Sequence, residues 1–209
     1  MIWNGDYTLA AYADILDYLQ KHFSLNYTVG DIPQILSQIF RPKFVIRHDV
    51  LESLDSALAM AAMEEERGIR TSYMIHANAM DFSLEEPQTQ KDLGRLYACG
   101  HEVGIFIDTG VTHPPLTELE MLLRAERFRF EKQLSFPVLS VVFPKPLPKT
   151  DPPTFFIGGM INAEADPFMT WSLSDQQGPW QHADIAPDEN DPERCLLQLQ
   201  IHPHLWNMD

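Results

Sequence analysis

Basic residues are scarce in this 209-residue chain: 15 Lys and Arg stand against 30 Asp and Glu, a formal net charge of -15. Such a surface repels phosphate backbones and anionic lipid, so no nucleic acid and no membrane surface is expected as a partner. Cysteine is nearly absent. Cys99 and Cys195 are far apart and match no metal or redox spacing, which argues against a disulfide framework and leaves two buried, reduced thiols as the expectation. Glycine is outnumbered, ten to sixteen, by proline, and the prolines gather in the second half, where they imply fixed loops. The longest uncharged apolar stretches fall well short of the ~20 residues of a membrane span. The opening "MIWNGDYTLA" has no basic region followed by an apolar run, so no secretory leader is expected and the chain is read as cytoplasmic.

Several reaction classes are missing their motifs. "GGMINAE" at 158–164 lacks the spacing of a Gly-rich phosphate loop, and no Gly-x-Ser-x-Gly elbow or two-His protease helix occurs. Neither cysteine has a helix-start context that would lower its pKa. The acidic run "PDENDPER" at 187–194 reads as a solvated loop rather than a cation site. There is no internal repeat and no low-complexity segment.

What is present is core material, 44% hydrophobic and 11% aromatic residues, enough for one domain. Leu9, Tyr12, Ile15, Leu16 and Leu19 recur at helical spacing and predict a helix over 8–23. A second short helix is predicted at "DIPQILSQIF", with Asp31 as its cap, so residues 1–40 form an N-terminal helical extension of the single domain. "KFVIRHDV" is β-rich, and Ser53 caps a following helix that stops at Gly68. "RTSYMIHA", a helix at 87–99, "HEVGIFID", the long helix "LTELEMLLRAERFRFEKQL" and "PVLSVVF" continue the alternation. Strand–helix alternation of this kind predicts parallel strands with crossover helices, in an open α/β sheet or a (β/α) barrel. After 143 the pattern changes to short strands at "TFFIGG", "FMTWSLSD" and "CLLQLQIHP".

In parallel α/β architectures chemistry collects at the C-terminal ends of the strands. His48 and Asp49 end the first predicted strand, His76 the second and Asp108 the third. Asp175 follows "TWSLS", and His202 and His204 follow "LLQLQ". The recurrence of polar side chains at strand ends, more than any one of them, marks a shared site.

"FVIRHDVLESLDSALAMAAMEEERGIRTSYMIH", followed by "LYACGHEVGIFID", resembles the polysaccharide deacetylase superfamily, the NodB-type carbohydrate esterases, in the subgroup whose first motif reads His-Asp-Val-Asp. "SLSDQQGPW" and "LQLQIHPHLW" resemble that subgroup's later segments. The resemblance runs from about residue 40 to the C-terminus and is weakest between 137 and 165. It implies an irregular (β/α) barrel of about seven parallel strands and hydrolysis of acetyl groups on a sugar, assisted by zinc or a similar divalent ion. It also implies Asp49 as general base, His101 as a metal ligand and His202 as general acid, with a carbohydrate as ligand.

Two positions depart from that pattern. Leu51 stands where the family's second Asp belongs, and Phe106 where a second ligating His is expected. Neither has a lone pair to offer, and catalytic zinc ordinarily keeps three protein ligands and a water. His101 and Phe106 would lie on opposite faces of a regular strand, unless Gly104 marks a bulge. Two readings follow. One is an active metal-dependent deacetylase. The other, which the replacements favour, is a degenerate relative in which Leu51 and Phe106 fill the vacated metal pocket. Trp171, Trp180 and Trp206 lie near the late strands, as sugar-stacking rings or as core. The sequence assigns no oligomeric state.

Overall fold

The computed structural model describes residues 2–31, 41–110, 113–145, 147, 155–166, 168–188 and 190–207. The helix expected at 31–40 falls almost wholly outside the described residues; only Asp31 is described, closing a 3-10 turn that starts at Val29. Four longer helices are α1 (Leu9–His22), α2 (Leu54–Glu66), α3 (Pro87–Ala98) and α4 (Leu116–Leu134). The strands are β1 (Leu25–Tyr27), β2 (Lys43–Val50), β3 (Ser72–His76), β4 (Glu102–Phe106), β5 (Ser140–Val142), β6 (Phe156–Ile157), β7 (Met160–Asn162), β8 (Ser172–Ser174) and β9 (Leu196–Ile201). β1 carries no amphipathic signal in its three residues and is anticipated by nothing in the sequence. The caps follow side-chain chemistry: Thr8 accepts from the Ala11 amide ahead of α1, and Ser53 accepts from the Asp55 amide ahead of α2.

The strands form one sheet of mixed α/β character, ordered β6-β7-β5-β4-β3-β2-β9-β8, with β1 also on β2. Every pairing is parallel except β6 with β7, which reverse through Gly158 and Gly159. The sheet curls strongly. β2 and β7 stand four places apart in it, yet Arg47 of β2 comes within 3.9 Å of Glu164 just beyond β7. Among the described residues β6 and β8 are not paired with each other, so the expected barrel of about seven strands is instead a nine-stranded half-barrel. The reason lies in its ends: β6 has two residues and runs antiparallel, and β8 has three.

Alternation along the strands sorts the core into an outer, helix-facing layer and an inner one. Outside, Val50, Tyr73, Ile75, Val103, Ile105 and Val141 pack with Leu54, Leu93, Leu119 and Leu123 from α2, α3 and α4. Next to this, Tyr12, Ile15, Leu16 and Leu19 of α1 cover Phe44, Ile46, Leu197 and Leu199 together with Trp3, Trp171, Trp180 and Trp206. Each such side chain contributes roughly 1.5–3 kcal/mol on burial. α1 is therefore part of the main core. Inside the curl, Val45, Met74, Phe106, Val142, Ile161 and Phe168 form a smaller cluster against which Leu51 packs.

Gly104 is not a bulge. β3 and β4 pair without interruption from Ser72 with Glu102 to His76 with Phe106. The glycine is needed for space: a Cβ there would lie 2.4 Å from Met74 Sδ and 2.5 Å from Ser140 Oγ. Gly104→Ala is expected to destabilise the fold by about 1–3 kcal/mol through overpacking, read as a lower urea midpoint. An unchanged midpoint would mean that the inner layer is looser than described.

Candidate functional site

β2 is buried along its whole length, and its alternation decides the chemistry on each side. Arg47 and Asp49 point into the curl, while His48 points out toward the helices. There, Glu64 of α2 is completely buried and its two oxygens are saturated by donors. Oε1 accepts from the Tyr12 hydroxyl and, at 2.6 Å, meets His48 Nε2; Oε2 accepts from Thr71 Oγ1 at 2.8 Å and the Tyr73 hydroxyl at 2.7 Å. His101 Nδ1 stands 3.6 Å from the same carboxylate. Burial alone would raise the Glu64 carboxyl, but the two histidines and the Tyr12 hydrogen bond hold it below its ordinary value. Burial lowers His101.

His101 therefore does not join Asp49. Asp49 pairs with Met74 and Met74 with Gly104, so His101 lies three residues back along the strand direction, about 10 Å, and on the other face. The ligand role implied by the resemblance fails for that geometric reason, and His48 belongs to the same outer network. His76 ends β3 half-buried, its ring 5.4 Å from that of Phe106. Asp108 is exposed and accepts from the Gly110 amide in its own turn. Trp171, Trp180 and Trp206 are all buried, which removes them as stacking platforms. Cys195 is buried, but Cys99 is only half-buried; both are free.

Inside the curl a second set converges. Arg47 Nε and Nη2 donate to both oxygens of Asp49, at 2.9 and 2.8 Å. His202, just past β9, is brought level with Asp49 by the pairing of His48 with Ile201. Its Nδ1 lies 2.6 Å from Asp175 Oδ1, and its Nε2 lies 3.8 Å from Asp49 Oδ2. A carboxylate only accepts, so Nδ1 carries a proton toward Asp175, and Nε2 faces Asp49. Asp175 is itself fully buried and held by the His202 amide and by Trp206 Nε1, at 2.8 and 2.9 Å. Trp206 thus positions the carboxylate that positions the histidine.

Arg47, Asp49 and His202 border a cleft of about 290 Å³ with Leu51, Phe106, Phe143, Glu164, Ser174, Gln176, Gln177 and Gln200. Leu51 and Phe106 do share a cavity with Asp49. The set does not fit a zinc ion. Both Asp49 oxygens already take a guanidinium, Leu51 and Phe106 offer no donor, and His101 is on the far face. Among the described residues no three His, Cys, Asp or Glu side chains are grouped to hold a metal.

Sequence reasoning missed Glu64, Arg47 as a partner of Asp49, and Glu164, whose only signal was its place after a late strand. The side chain of Glu164 is 8% exposed, and its Oε2 and Arg47 Nη1 have no hydrogen-bond partner among the described residues. Burial pushes its carboxyl up to about 7; Arg47 offsets this in part and Asp49 adds to it.

No protein-family model matches the chain, and no curated protein matches it. A solved structure of a D-threo-3-hydroxyaspartate dehydratase mutant aligns with 97% of this chain and 51% of its own, at 12% identity and a TM-score of 0.33. The chain thus spans about half the length of that structure, and a likeness so slight defines neither fold nor activity. No helix among the described residues is long and apolar enough to cross a membrane.

Glu64 and Glu164 should respond oppositely to mutation. Glu64→Ala leaves two tyrosines, a threonine and two histidines facing a void, and is expected to cost about 3–5 kcal/mol in urea unfolding. A loss below 1 kcal/mol would show that the network is dispensable. Folded Glu164 titrates near 7 instead of its ordinary 4.5, so its contribution is complete below about pH 4.5 and lost as pH rises through 7. Relative to wild type, Glu164→Gln should gain up to about 3 kcal/mol between pH 4.5 and 8. A mutant-to-wild-type difference independent of pH would place Glu164 in water.

Proposed function

We propose that this chain is a polysaccharide deacetylase-like protein of carbohydrate metabolism that has lost its metal site and keeps a ligand cleft with an acid–base pair. The observation that carries this reading is the company kept by Asp49. Its neighbours in the cleft are Leu51 and Phe106, where the NodB-type pattern calls for ligands, and His202 backed by Asp175, where it calls for the acid. Large apolar side chains stabilise a vacated pocket that would otherwise hold uncompensated charge. The cleft is close in size to small-ligand pockets in general, and its glutamines and serine beside two phenylalanines suit a ring with hydroxyl groups.

A second reading, an active hydrolase of N-acetyl or O-acetyl groups, is favoured by the Asp175–His202 pair. A buried carboxylate holding an imidazole tautomer is what general acid–base chemistry requires. In that reading Asp49 is the base and His202 the acid, and a Lewis acid would have to come from elsewhere than Leu51 and Phe106.

Acetate release from N-acetylated sugar oligomers, with zinc or cobalt added and then chelated, separates the two. The expected result for wild type is no release above background and no shift of its thermal midpoint with zinc. Leu51→Asp combined with Phe106→His places two donors beside Asp49. In that variant zinc at about 100 times its dissociation constant should restore about 2.7 kcal/mol of stability. Chelator-sensitive acetate release by wild type would establish the active enzyme instead.

A further inference from the structure

Arg47 and Glu164 leave a specific gap in the cleft. The guanidinium spends Nε and Nη2 on Asp49, while Nη1 remains without an acceptor among the described residues. Glu164 Oε1 lies 3.9 Å from that nitrogen, beyond hydrogen-bond reach, and Oε2 has no donor among the described residues. Both side chains are more than nine-tenths buried, at 2% and 8% exposure, and both border the cleft. Buried polar groups are nearly always paired, so an unfilled acceptor beside an unfilled donor specifies a ligand carrying the complements of both. The charges specify its sign. Two carboxylates share one guanidinium, and Asp49 has the better claim to it.

We propose that the cleft takes a vicinal amino alcohol, the unit that an unacetylated amino sugar presents, with its ammonium on Glu164 and the adjacent hydroxyl oxygen on Arg47 Nη1. The sugar in this assignment rests on the carbohydrate reading above; the amino alcohol rests on the two unpaired groups. An N-acetyl sugar fits less well, because acetylation removes the charge and leaves a single N–H for Glu164. Anionic ligands meet Asp49 and Glu164 on either side of Arg47. The upward push of burial on the Glu164 carboxyl, only partly offset by Arg47 and reinforced by Asp49, is the condition an arriving cation relieves. The overall charge of -15 raises cation concentration near the surface in the same sense.

Calorimetric titration with glucosamine, N-acetylglucosamine and trans-2-aminocyclohexanol tests the assignment. Wild type should bind glucosamine about tenfold or more tighter than N-acetylglucosamine, the weight of one charge-assisted hydrogen bond. Aminocyclohexanol should compete with glucosamine. Glu164→Gln should bring the two sugars to within about twofold while leaving His202 and Asp49 in place. The comparison among ligands needs no variant, so it stands even if Glu164→Gln fails to fold. Equal or tighter binding of N-acetylglucosamine overturns this inference and leaves the carbohydrate reading intact. Binding of aminocyclohexanol but of neither sugar upholds the amino-alcohol site and overturns the carbohydrate reading. Binding of none of the three overturns both.

Discussion

The Glu64 carboxylate, with all four of its lone-pair positions occupied, is the interaction on which the rest of the molecule depends. Its partners come from α1, from β2 and β3, and from the turn before β3, so one buried charge ties the first helix and the sheet to α2. A charge left unpaired there would be prohibitive, which leaves few arrangements of these elements that satisfy it. Holding His48 outward has a second effect. In a strand of period two, it obliges Arg47 and Asp49 to face the inside of the curl. The outer network and the inner cleft are two sides of one constraint on β2.

Inside, electrostatics and packing act together. Arg47 neutralises Asp49 through a bidentate contact, the strongest form of such a pair, and has little left for Glu164. Asp175, fixed by an amide, an indole and an imidazole, sets the tautomer of His202. Around these, Leu51 and Phe106 contribute apolar wall. The cleft is suited to holding a polar ligand and moving a proton at His202 Nε2. It is not suited to holding a divalent ion, because a cation already sits on its best carboxylate.

Local elements could be read in advance wherever one periodicity persisted over several turns. α1 and α4 match their expected extents closely, since Tyr12, Ile15, Leu16 and Leu19, or the run from Leu116 to Leu134, carry the pattern themselves. β2 was recognisable from its β-branched and aromatic residues. β1 and β6, with three and two residues, carry too little pattern to recognise. Misassignment of His101 arose differently. Its ligand role came from the resemblance alone, but it precedes β4, and an uninterrupted register put it behind the sheet. Gly104, the one residue that could have altered that register, serves close packing against Met74 and Ser140 instead.

The sequence by itself determined the alternation of strands and helices, the helix cap at Ser53, and the presence of Asp49, Asp175 and His202 at strand ends. It also determined that positions 51 and 106 carry the apolar side chains of Leu51 and Phe106. These are local properties, carried by side-chain chemistry within a few residues. Only the tertiary structure decided that the barrel stays open and that His48 and His101 serve Glu64. It alone brought Glu164 from beyond β7 to Arg47 on β2, across 117 positions of chain. That pairing depends on how far the sheet curls, a sum of twists and strand lengths that no single segment encodes.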